Sequence, residues 1–160
     1  MKNYKIEIKW AVVFILATLV WAILEKSLGF YDEKIESHGS FSFLFAIIAV
    51  VLYVLALLDK KKNFFQGNMN WKQGFISGIV LSVFIAILTP IGQVIIHTVI
   101  APNFFENFIT YSVEKGVLNK ENAEAYFNLT SYIVQSLFFA LSVGVVTAAL
   151  VAFFIKSKEN

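Results

Sequence analysis

Four stretches of this chain run without a charged side chain, residues 10–24, 41–58, 73–105 and 125–155, and no other feature constrains its fold as strongly. A helix needs about 20 residues to cross a hydrocarbon layer of about 30 Å. Inside that layer every backbone N–H and C=O must bond within the protein, which for runs of this length means helices. The first run extends at both ends through lysines whose stems can reach the headgroups. The third is too long for one span and must leave the membrane near Ala101 and Pro102. The predicted spans are residues 6–28, 41–58, 73–100 and 129–155, within a single transmembrane domain covering 1–160. The fold class that follows is an all-α integral-membrane four-helix bundle. Composition agrees: 58% of the residues are hydrophobic and 15% charged, whereas about a quarter are charged in soluble domains.

Charge sets the orientation. Nine lysines (2, 5, 9, 60, 61, 62, 72, 156 and 158) flank the spans on the side of the two termini, with three acidic residues. The other side carries four lysines and eight acidic residues, so the two faces have formal charges of +6 and −4. Lysine-rich short loops stay in the cytoplasm, which predicts both termini there. No small-x-small cleavage site closes the first apolar run, which therefore reads as an uncleaved span. In "DKKKNFFQGNMNWK", Lys60, Lys61, Lys62 and Lys72 anchor this topology and can attract anionic lipid headgroups, each contributing about 1 kcal/mol. A net charge of +2 carried by lysine alone gives no footprint for nucleic acid. With no cysteine and only His38 and His97 as imidazoles, no metal or other cofactor is expected. The expected partners are membrane lipids and either further copies of the chain or another membrane protein.

The third span carries a stripe of small residues, Gly74, Gly78, Ser82 and Ala86, at the four-residue spacing that lets membrane helices approach closely. Ser82, Ala86, Thr89, Pro90, Gln93 and His97 continue it within a sector of about 100°. Pro90 removes a backbone hydrogen bond, so a break is expected there, with Thr89 or Gln93 covering the freed Ala86 carbonyl. The fourth span has two candidate faces. Ser131, Gln135, Ser142 and Ala149 share one, and Ala140, Gly144, Ala148 and Ala152 form a small-residue ridge opposite. The second ridge reads as the one left for a partner.

Counting about 1.5 Å per residue places Glu25, Gln93, His97 and Gln135 in the outer half of the bundle, with Tyr132 beside them. An acid, an imidazole and amides at one depth form a candidate polar cluster suited to a small ligand or a proton. Helix-end and packing roles are the plainer reading of Glu25 and His97. The outer segment 101–128 repeats Phe104, Phe105, Phe108 and Ile109 with amphipathic helical spacing, which places it on the membrane surface. Gly116 suits a helix C-cap and Asn119 the N-cap of a second short helix. No Ser-His-Asp set, HExxH or phosphate loop occurs, so the chain reads as a non-enzymatic accessory or scaffold subunit, with a small outward-facing carrier or channel as the alternative.

The passages "YVLALLDKKKNFFQGNMNWKQGFISG" (53–78) and "VEKGVLNKENAEAYFNLTSYIVQS" (113–136), with the opening "YKIEIKWAVVFILATLVWAILEKSLGF", resemble a bacterial membrane family, domain of unknown function 4199, common in Bacteroidota. The resemblance implies a four-helix protein of the bacterial inner (plasma) membrane. It implies no catalytic or binding residues.

Overall fold

Each apolar run forms a helix long enough to cross a hydrocarbon layer, so the chain is an all-α polytopic membrane protein. The computed structural model describes residues 4–157. The spanning helices are α1 (Lys5–Ser27), α3 (Phe45–Asn63), α4 (Trp71–Ile95) and α7 (Leu129–Ile155). A short α2 (His38–Ser42) leads into α3, and α5 (Phe104–Glu114) and α6 (Lys120–Tyr126) occupy the long loop between α4 and α7. Lys2, Lys158 and Glu159, which entered the charge count, lie outside the described residues.

Local chemistry sets the helix ends. Asn70 opens α4 with a reciprocal cap: its side chain accepts from the Gln73 N–H at 2.9 Å, and the Gln73 side chain accepts from the Asn70 N–H at 2.9 Å. Asn119 and Asn128 cap α6 and α7 through Asn122 and Ser131. Gly116 adopts a φ of +68° just beyond α5, where a side chain would be strained. Helix α3 starts later than the predicted second span and continues through Asp59 to Asn63, because helical bonding does not end where the hydrocarbon does.

Helix α4 sits at the centre, packed along α7 and α1 and touching α3, which in turn lies against α1 and α7. Because the spans alternate in direction, α1 and α4 run parallel and bring their far ends together. The α4–α7 seam is very close. A methyl group on Gly78 would stand 2.4 Å from the Ala148 Cβ, and one on Gly74 would stand 3.1 Å from the Ala152 Cβ. On Gly144 it would meet the Ser82 hydroxyl at 2.5 Å and the Tyr53 hydroxyl at 2.6 Å. Those two hydroxyls bond at 2.8 Å, and Ser82 also donates to the Gly78 carbonyl. Ala86 is likewise buried, and Ala140 packs at the edge of the core around Tyr53 and Ala148.

This seam corrects the reading of α7. The ridge Ala140, Gly144, Ala148 and Ala152, expected to face a partner, packs against α4 of the same chain, and the Gln135 face turns outward. Small residues favour close approach whichever helix they meet, so spacing alone did not identify the neighbour.

The end of the bundle near the termini corrects a second expectation. Lys60 is 4% exposed and pairs with the buried Glu7 at 2.9 Å, its ammonium lying 3.9 Å from the centre of the Phe64 ring. It fastens α1 to α3 and does not reach toward headgroups, because its side chain leaves α3 on the face covered by α1. Beside it, Asp59 accepts from Lys9, from the Trp10 indole at 2.7 Å and from Asn63 at 2.6 Å. Lys61 donates to the Ile155 carbonyl at 2.7 Å, whereas Lys62 and Lys72 are exposed.

Candidate functional site: a buried polar floor beneath an aromatic cap

Glu25 is the last inward-facing residue of α1. The chain then turns at Gly29, whose φ is +82°, and folds back over the helix end, so that a carboxylate expected to mark the water boundary is 3% exposed. Its partners arrive from three segments. The Trp21 indole donates to Oε1 at 3.0 Å, the Tyr31 hydroxyl to Oε2 at 2.7 Å, and the Ser42 hydroxyl to Oε1. His38 Nε2 stands 4.0 Å from Oε2 and 3.3 Å from the Ser42 oxygen. The phenol of Tyr31, in the loop outside the spans, is held well above its ordinary pKa by burial and then by the Glu25 carboxylate.

A second set hangs from α4. His97 Nε2 meets Gln93 Oε1 at 3.1 Å, and Gln93 Nε2 donates to Ser136 on α7 at 2.9 Å. If the amide nitrogen donates to serine, its oxygen must accept, so Nε2 carries the imidazole proton and Nδ1 presents a lone pair. That Nδ1 is buried and has no hydrogen-bond partner among the described residues.

Phe104 joins the two sets. Its ring centre lies 5.0 Å from each of the His38 and His97 rings and 5.2 Å from that of Tyr31. Phe105 and Tyr132 enclose His97 at 4.5 and 5.4 Å. The apolar face of α5 thus caps the bundle, with Phe104 1% exposed, which departs from the expectation of a helix lying flat on a membrane. Asn107 ties this cap to the α1–α2 loop, donating to the Tyr31 carbonyl and to Asp32 at 3.0 Å each.

Of the five cluster residues, Gln93, His97 and Tyr132 come together, Glu25 joins them across Phe104, and Gln135 does not. Gln135 is exposed on the far side of α7, and Ser136 takes the place beside Gln93. The expectation at Pro90 also changes. Thr89 donates to the Ile85 carbonyl at 2.9 Å and Gln93 is engaged elsewhere, so neither covers the Ala86 carbonyl. The helix widens further on, at Ile96–Ile100, where Ala101 N–H reaches back five residues to the Ile96 carbonyl at 2.7 Å. Sequence reasoning missed Tyr31, His38 and Ser42. The four-residue spacing of His38 and Ser42, which puts both on one helix face, was the available signal.

Fold and site together define a polytopic helical membrane protein whose buried polar floor is closed by an aromatic helical cap. The chain belongs to the family described as protein of unknown function (DUF4199), whose profile matches residues 9–157. No curated protein and no solved structure matches it.

Proposed function

We propose that this protein is a non-enzymatic accessory or scaffold subunit of the bacterial plasma membrane, with both termini in the cytoplasm. The observation that supports this most is the use made of Glu25: both carboxylate oxygens are bonded to side chains of the same chain, and these bonds hold α1, the loop after it and α2 together. A group bonded in this way holds the outer cap in shape. The lysine-rich loops support the orientation, and the resemblance to a family common in Bacteroidota supports the location.

The test is native mass spectrometry of the tagged protein, expressed from its own locus and gently extracted. A stoichiometric second polypeptide is the expected result. A complex made only of this chain, retaining a small molecule, would overturn the accessory role.

A second reading, a small proton-linked carrier, is favoured by one observation, the unpartnered Nδ1 of His97 beside a widened helix. In vesicles containing a pH-sensitive dye, this reading requires proton movement that His97→Gln abolishes while the fold survives.

A further inference from the structure

With α7 turned inward along Ala140–Ala152, its opposite face carries Gln135, Ser142 and Ala149, spaced seven residues apart. Gln135 and Ser142 are exposed, and Ala149 is partly covered beside Trp71, whose indole donates to the Ala149 carbonyl at 3.1 Å. Ser142 is the middle residue of α7. Gln135 lies about 10 Å from it along the axis, inside the half-thickness of about 15 Å of a hydrocarbon layer. Neither side chain has a hydrogen-bond partner among the described residues. A serine hydroxyl can turn back to its own helix backbone, but a glutamine amide holds two donors and an acceptor that lipid tails cannot satisfy.

We propose that this face is the contact surface for a second copy of the same chain, forming a parallel pair of α7 helices with Gln135, Ser142 and Ala149 along the seam. Three physical points carry the choice of occupant. A seven-residue repeat keeps one face of a helix turned to a neighbour over its whole length, as in left-handed helix pairs. A two-fold axis along the membrane normal sets each Gln135 against the other at the same depth, where one amide donates to its mate and accepts from it in return. Any other partner would have to supply a matching group at that depth, whereas a second copy supplies it by symmetry. Phe139, Val146 and Phe153, 65%, 60% and 57% exposed, lie on the same face and fill the seam between the polar positions. The pair requires α7 to span a membrane and does not depend on either functional reading.

The chain has no cysteine, so single thiols report without background. Phe139→Cys, Ser142→Cys and Ala149→Cys variants, which keep the Gln135 amide, are oxidised in native membranes alongside Val20→Cys on α1 and Ile87→Cys on α4, two exposed positions off the proposed seam. The expected result is a covalent dimer of the chain at all three α7 positions, at least five times the yield at Val20 and Ile87. Equal yields across all five, or an adduct with a different polypeptide in place of the dimer, would overturn the proposal. Placing Gln135→Leu in the Ser142→Cys background isolates the amide. Loss of two membrane hydrogen bonds predicts a weakening of association by about tenfold, and undiminished cross-linking would remove the basis of the pairing. Because Gln135 is exposed, its replacement leaves the packing of the monomer intact.

Discussion

At the scale of single residues, the floor beneath the cap is held by bonds to one carboxylate, and their strength can be measured. Tyr31 is 4% exposed and donates to Glu25 at 2.7 Å. Hydrogen bonds to charged groups contribute about 1.5–3 kcal/mol, so Tyr31→Phe should destabilise the folded protein by about that amount at neutral pH. The pH dependence has a definite sign. The phenol pKa is raised by folding, so the stabilising contribution is complete below the unfolded tyrosine pKa of about 10 and declines as pH rises above it. Unfolding curves of parent and variant in detergent should therefore lie apart at pH 8 and converge above pH 10. A constant gap across that range would mean that the phenol does not act through its proton.

At the scale of elements, α4 and α7 pack so closely that neither Gly78 nor Gly144 leaves room for an added Cβ unless a neighbour shifts. A Cβ at Gly78 would meet the Ala148 Cβ at 2.4 Å and its Cα at 3.2 Å, contacts only a shift of one helix can relieve. Overpacking of this kind costs about 1–3 kcal/mol, so Gly78→Ala should lower the thermal midpoint in detergent by several degrees. Gly39→Ala, where nothing lies within 4 Å of the added methyl, is the matched control and should leave the midpoint unchanged or slightly raised. The buried Glu7–Lys60 pair makes the same point for α1 and α3. Removing one partner leaves the other charge poorly compensated, and Glu7→Ala should cost about 3–5 kcal/mol. The double variant Glu7→Met with Lys60→Met should recover most of that loss, because the desolvation cost of both charges disappears with them. A double variant as unstable as the single one would show that the pair contributes more than it costs.

At the scale of the whole molecule, the bundle carries different chemistry at its two ends. Near the termini lie the lysine-rich loop and the bonded pairs around Asp59 and Glu7. At the other end lies the acidic helical cap, with a shallow groove among Asp32, Glu106, Asn107, Tyr111 and Glu114. If lysines direct insertion, a reporter active only in the cytoplasm should work after Ser157 and fail when inserted at Val117, an exposed position between α5 and α6. Moving Lys60, Lys61 and Lys62 to alanine should weaken that asymmetry, with Lys60→Ala also lowering stability through the loss of its bond to Glu7.

What the sequence determined by itself was the number of spans, the class of the fold, the caps at Gly116 and Asn119, and the stripe from Gly74 to Ala86 on which the bundle closes. These are local or one-dimensional properties: the length of an uncharged run, a side chain bonding three residues away, a repeat of four. Tertiary structure alone decided which face of α7 turns inward, that Glu25 is roofed over by the loop carrying Tyr31, and that Lys60 lies inside beside Glu7. The last two depend on segments distant in sequence closing over a charge, and the physical reason for the first lies in the membrane. In a membrane the surroundings of a helix are as apolar as its core, so hydrophobic periodicity, which separates inside from outside in water, ranks two small-residue faces almost equally. The choice between them falls to contacts such as Gly78 with Ala148 and Gly144 with Ser82, which exist only once the helices have met.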